Sequence, residues 1–153
     1  MPKKDITKIF IDEIYFKSPL KNHPTNKTIL KGIDETWSLD LLDLIEYGSK
    51  NNRGYRFILV VIDTFSKFAW TVPLKNKYAQ TITTEFSNVI TKSKRKPKLI
   101  ETDDGKEFVN KIFNDYLKQN DIKRYSRFTD KGAVFAERFN RTLRNLVRKP
   151  VFK

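Results

Sequence analysis

The chain is 153 residues long, and 31 Lys and Arg against 18 Asp and Glu give it a formal net charge of +13 at pH 7. The length suits one domain with one core, and 39% hydrophobic residues with 12 Phe exclude a disordered chain. The absence of cysteine and the single histidine, His23, exclude disulfides, thiol catalysis, Cys/His zinc sites and any Ser-His mechanism built on a second histidine.

Any chemistry must therefore come from carboxylates, hydroxyls, lysines or arginines. No apolar run approaches the ~18 residues of a bilayer span, and no secretory signal opens the chain, so a soluble protein with no membrane partner is expected. The charge predicts a polyanionic partner. It is also uneven: residues 91–98 (TKSKRKPK) hold five basic groups and no acid, and residues 138–153 hold six, again with none. A solvated basic face is the alternative reading, but clustering without an apolar insertion face favours nucleic acid over an anionic membrane.

Residues 1–35 alternate short apolar and polar pieces around Pro19 and Pro24, which reads as an N-terminal extension and linker. From Thr36 the pattern sharpens. TWSLDLLDL (36–44) reads as a strand, followed by the turn-forming EYGSKNNRG. RFILVVIDTFS (56–66) is the continuous apolar run of a central strand buried on both faces. KFAWTVPL (67–74) follows a tight turn, so the three strands are expected to form an antiparallel meander. Ala79, Ile82, Phe86, Val89 and Ile90 recur at helical spacing. KPKLIETD (97–104) reads as a fourth strand, and Val109, Ile112, Phe113, Tyr116 and Leu117 mark a second helix. IKRYSRF (122–128) reads as a fifth strand, and a long helix begins near Gly132 or Ala133. The order β-β-β-α-β-α-β-α predicts an α/β fold, a mixed sheet with helices on its faces.

Three acids stand out by position. Asp40 lies within the first strand on the face of Ser38 and Leu42, opposite Trp37, Leu39 and Leu41. An acid between leucines must be paired, protonated or metal-bound. Asp103 ends the fourth strand, where open α/β sheets place their sites. It belongs to ETDDGKEF (101–108), which is either a solvated turn or half of a metal site, because crowded carboxylates repel unless a cation offsets them.

The third acid is Glu137, on the last helix. There Phe135, Phe139, Leu143, Leu146 and Val147 form an apolar stripe, while Glu137, Arg141, Arg144 and Arg148 share the other side. Pairing of Glu137 with Arg141 on a solvated face is one reading. A helix lying along a phosphate backbone, its acid reaching a metal, is the other. Carboxylates from two strand ends and a helix would make a hard oxygen site for Mg²⁺ or Mn²⁺, and a pair of such metals suits in-line displacement at phosphorus.

WSLDLLDL, VVIDTFSKFAW, IETDDGKEF and AERFNRTLRNL, in that order, resemble the catalytic core of retroviral and retrotransposon integrases, the DDE group of the ribonuclease-H-like superfamily. KGIDETWSLDLLDL, DDGKEF and ERFNRTL look most like the integrases of Maverick/Polinton DNA transposons. The resemblance runs from about Lys31 to Arg148. It implies a ribonuclease-H-like mixed five-stranded sheet flanked by helices, with an extension at 1–35, the core at 36–149 and a tail at 150–153. It makes Asp40 and Asp103 the two catalytic, metal-binding aspartates and Glu137 the glutamate of a two-metal Mg²⁺ or Mn²⁺ site. Asn140, Arg141, Arg144, Arg148 and Lys131 become candidates for touching DNA or supporting the site. Asp63 falls on a landmark that is structural rather than metal-binding. Asp104 and Glu107 remain turn residues.

The implied function is metal-dependent 3′-end processing and strand transfer of transposon DNA into target DNA. Transposon ends and target DNA would be the partners, within a homodimer or higher oligomer acting in the nucleus. A ribonuclease-H-type nuclease and a non-catalytic DNA-binding transposon remnant are the alternatives. The spacing from Asp103 to Glu137 is shorter than is common in retroviral enzymes, and with no cysteine the chain lacks their His/Cys zinc module, so an isolated core from a larger protein is expected. KRKPK (94–98) reads as a basic helix-to-strand turn or as a nuclear-import signal.

Overall fold

A computed structural model describes residues 32–44, 53–126 and 139–145. Residues 1–31 of the extension read over 1–35 lie outside them, as do Lys131, Glu137 and Arg148.

The first three strands are β1 (Thr36–Asp43), β2 (Phe57–Asp63) and β3 (Ala69–Leu74), paired antiparallel as the meander predicts. The chain then forms helix α1 (Ala79–Ser93), strand β4 (Leu99–Thr102), helix α2 (Lys111–Gln119) and strand β5 (Lys123–Ser126). Residues 139–145 form a last helical segment, α3. β4 adds parallel to β1 and β5 adds parallel to β4, giving a five-stranded mixed sheet in the order β3-β2-β1-β4-β5.

The two faces of β1 explain the layers. Its odd-numbered side chains enter the main core, where Trp37 and Leu39 meet Leu59 and Val61 of β2, Ile82 and Phe86 of α1, Ile100 of β4, and Phe113 and Leu117 of α2. Phe86 is the hub: its ring lies 6.4 Å from Trp37 and 5.7 Å from Phe113, both edge-on, an arrangement that adds about 0.5–1.5 kcal/mol per pair beyond burial. The opposite face of β2 presents Val60 and Ile62, against which Phe139 and Leu143 of α3 pack. Those two residues belong to the apolar stripe read from the sequence. β2 is thus covered on both sides, which is why its run is uninterrupted.

Element ends depart from the sequence reading for local reasons. β2 stops at Asp63 because its carboxylate accepts the Phe65 N–H at 3.2 Å and the Ser66 hydroxyl at 2.6 Å, which turns the chain before Phe65. β4 stops at Thr102, and the Asp103 carboxylate accepts the Gly105 N–H at 3.1 Å. α2 begins at Lys111 because the Asn110 side chain caps it, accepting the Phe113 N–H at 2.8 Å. Val109 precedes the helix and is exposed, Ile112 is exposed in its first turn, and only Phe113 and Leu117 of the predicted stripe are fully buried.

Candidate functional site

The sheet directs two of the three singled-out acids toward the same end. Ser38 of β1 pairs with Glu101 of β4 in a parallel ladder. Two residues further on stand Asp40, within β1, and Asp103, just past the end of β4. Parallel partners share a face and neighbouring strands lie about 4.8 Å apart; the ladder ends at Ser38 and Glu101, so both aspartates lie two residues past it, toward the same end of the sheet. Asp103 is exposed and Asp40 half-buried. Glu137 lies outside the described residues, and among the described residues no three acidic or imidazole side chains converge.

Asp40 is held rather than loose. One carboxylate oxygen accepts the Leu41 N–H at 2.8 Å, and the other accepts the side-chain amide of Asn140, one hundred residues away in sequence. Asn140 is buried on α3, 7% exposed, because Phe139 and Leu143 anchor that helix on Val60 and Ile62. Its amide nitrogen must face Asp40, since the opposite orientation would point a carbonyl at a carboxylate. That leaves Asn140 Oδ1 buried with no hydrogen-bond partner among the described residues, a state that ordinarily costs about 1–3 kcal/mol.

The donor set suits a small hard cation. Asp40 and Asp103 offer carboxylate oxygens, and the Asn140 side chain orients that of Asp40. Arg141 and Arg144 follow Asn140 on α3 and are exposed, on the side away from Phe139 and Leu143. Asp104 accepts the Ser126 hydroxyl and remains exposed, as befits a turn residue.

Asp63 has a different role, and no pattern in the sequence points to its main partner. Its fully buried carboxylate receives Arg95 Nη2 at 2.6 Å, and Arg95 also reaches Asp34 at 2.8 Å. The guanidinium sits 5.0 Å from the Trp70 ring centroid and 5.9 Å from that of Trp37. Burial works to raise the Asp63 carboxyl, but hydrogen bonds from Ser66, the Phe65 N–H and Arg95, with the Arg95 charge, together hold it below the ordinary carboxylate range. Hydrogen bonding to Asp34 leads the effects that raise Arg95 above its usual value. Asp63 pairs across the sheet with Trp37, three residues along β1 from Asp40, and it braces the opposite end of the sheet.

Three of the five cations in the basic run 91–98 bond to other parts of the fold. Besides Arg95, Lys96 donates to the Asn120 carbonyl at 3.1 Å and Lys98 to Glu35 at 2.7 Å. KRKPK lies between α1 and β4, with Lys94 as the left-handed cap of α1. Among the described residues no helix is long and apolar enough to cross a membrane.

Residues 33–141 match the integrase core domain family. A transposon-derived protein of Caenorhabditis elegans is 33% identical over 100 residues, covering 65% of this chain and 35% of that protein. The Pol polyprotein of Radiation murine leukemia virus is 29% identical over 98 residues, covering 63% of this chain and 17% of the polyprotein. The chain therefore spans well under half the length of these two relatives. Among solved structures, the HTLV-2 integrase catalytic core domain in complex with magnesium superimposes in its dimeric form with a TM-score of 0.60, at 24% identity over 75% of this chain and 70% of that one. Its trimeric form gives 0.59 at 22% identity, over 74% of this chain and 69% of that one. The likeness shows the fold: a mixed five-stranded sheet flanked by helices, the ribonuclease-H-like fold of an integrase catalytic core.

Proposed function

This chain belongs to the integrase core domain family, and from that premise we propose that it is the catalytic core of a DNA integrase that processes the 3′ ends of a transposon and joins them to target DNA. The observation that supports the reading is the parallel β1–β4 register, whose last pair, Ser38 with Glu101, stands two residues before Asp40 and Asp103. Glu137 completes the set in this proposal, and the core runs over 36–149. Relatives of transposon and retroviral origin support a mobile element as its context; we assign it to the Maverick/Polinton group on its sequence blocks, and place its action in the nucleus as a homodimer or higher oligomer.

In the first reaction a water oxygen attacks phosphorus and the strand's 3′ oxygen leaves. In the second the freed 3′-OH attacks a target phosphodiester and displaces that strand's 3′ oxygen, so one P–O bond forms for each one broken. Mg²⁺ or Mn²⁺, held as a pair by Asp40, Asp103 and Glu137, would supply activation of the attacking oxygen and stabilisation of the leaving one. Asn140 fixes the Asp40 carboxylate, so that its oxygens keep one direction. Arg141 and Arg144, exposed beside it, would meet phosphates flanking the reacting one.

A labelled end duplex tests this reading against its rivals. The integrase reading expects metal-dependent joining to target DNA, a ribonuclease-H-type nuclease expects cleavage of RNA–DNA hybrid instead, and a remnant expects DNA binding alone. Either of the last two results would overturn the proposal.

Two further outcomes follow from α3. Asn140→Ala is expected to lower strand transfer by about 10- to 100-fold, the usual cost of removing a group that orients a ligand, with the KM for DNA unchanged in steady-state assays. Arg141→Ala and Arg144→Ala should instead weaken binding without regard to sequence, each lowering the slope of log K against log salt by about one unit. Fluorescence anisotropy across a salt series measures this, and an unchanged slope in both would return the two arginines to a merely solvated face.

A further inference from the structure

We propose that a second DNA-contacting surface lies at the end of the sheet where Asp43, Phe57 and Leu74 stand, formed by Arg53, Tyr55, Arg56, Lys75, Lys77 and Tyr78, and that it grips the strand flanking the reacting phosphate, with Tyr78 stacking on an unpaired base. The inference rests on the integrase reading and adds to it a place where DNA leaves the site.

The sheet assembles this surface from two separate loops. Asp43, Phe57 and Leu74 end the three strands side by side, and the Arg56 N–H donates to the Leu74 carbonyl at 2.9 Å. RGYRF (53–57) and LKNKY (74–78) therefore meet, and neither segment carries an acid to offset its cations. Asp43 holds Arg56 at 3.4 Å, a half-exposed pair that leaves part of the guanidinium in solvent.

The aromatics are displayed rather than packed. Tyr55 is 37% and Tyr78 72% exposed. Lys75 Nζ stands 5.5 Å from the centroid of the Tyr55 ring. Tyr78 is on a fixed stage, because Asn76 Oδ1 accepts both the Tyr78 N–H at 3.1 Å and the Thr81 hydroxyl at 2.8 Å, tying the loop to the first turn of α1. Exposed rings interleaved with cations on anchored backbone form the surface that tracks a nucleic-acid strand, cations on phosphates and rings on bases.

Position relative to the acids sets its role. Asp40 and Asp43 are three residues apart on β1, roughly 10 Å at the strand rise of ~3.4 Å per residue. This matches about three nucleotides of duplex at ~3.4 Å per step. A strand held with one phosphate at Asp40 and Asp103 thus reaches these cations within a few nucleotides. Arg141 and Arg144 belong to α3, which covers the Val60 face, so they and the new surface grip different stretches of the same DNA.

The test uses the full chain with two probes, a blunt DNA duplex and the same duplex carrying a single-stranded tail. Arg53→Ala with Lys75→Ala and Lys77→Ala is expected to lower the slope of log K against log salt by about 2.7, or ~0.9 for each phosphate no longer neutralised. Tyr78→Ala should weaken binding of the tailed duplex by about 5- to 100-fold and leave blunt duplex binding unchanged, while Tyr78→Trp keeps the preference for the tail. All these positions are exposed, and Lys77→Glu serves as a single substitution with the same expected direction. Wild-type chain that binds neither probe would sink the integrase reading and this surface together. An unchanged slope in the triple variant, with Arg141→Ala still lowering it, would remove this surface alone.

Discussion

Asp40→Asn and Asp103→Asn should each reduce strand transfer by at least about a thousandfold, while binding of the end duplex stays near the wild-type level. Each substitution keeps the shape of the side chain and removes the charge that a divalent cation requires. Two aspartates that act as one unit give grossly non-additive losses, so the double variant should be no less active than either single one. Stability should hardly change at Asp103, which is exposed at the end of β4. At Asp40 the amide still accepts from the Leu41 N–H, but its new NH₂ group competes with that of Asn140, so a loss of about 1 kcal/mol is expected there. Denaturation in urea separates this loss from the catalytic one. Glu137→Gln should behave as the aspartate variants do, with strand transfer lost and DNA binding kept.

The largest effect on stability is expected at the other end of the sheet. Asp63→Ala removes the buried partner of Arg95 and the acceptor of the Ser66 and Phe65 turn bonds. Breaking a buried pair costs about 3–5 kcal/mol, and the lower end applies because the Arg95 side chain is 25% exposed and keeps Asp34. The pair also predicts an acid limb. The folded-state carboxyl lies below the unfolded value of 3.8, so the folded form holds fewer protons at low pH. Its contribution is fully present above that value and is lost as pH falls through the folded pKa. Thermal melts of wild type and Asp63→Asn from neutral to acid pH should therefore converge toward the acid end. Parallel curves would show that the pair contributes nothing to stability.

Much of this was legible in the sequence because burial leaves a pattern. The run from Phe57 to Ile62 is apolar throughout since α1 covers one face and α3 the other, and the alternation in β1 set Asp40 on the face opposite Trp37. Direction and long-range pairing were not legible. Arg95 sits in a run of positive charge that reads as a polyanion-binding cluster, yet it turns inward to Asp34 and Asp63, 61 and 32 residues away. The hydrogen bond between Asn140 and Asp40 spans 100 residues, and helical spacing could place Asn140 beside the arginines without saying that it faces a carboxylate. Val109 and Ile112 extended the helical stripe in sequence, but the cap at Asn110 leaves Val109 outside α2, and Ile112 is exposed in its first turn.

The central claim is that Asp40 and Asp103 share one divalent cation, and Mn²⁺ binding followed by electron paramagnetic resonance tests it most directly. With the end duplex present, the wild-type chain should bind Mn²⁺ that Mg²⁺ displaces. Asp40→Asn and Asp103→Asn should each lose the same bound ion, and the double variant should lose no more than either. Losses that add up, or Mn²⁺ retained in full by both single variants, would show that the two aspartates are not one site.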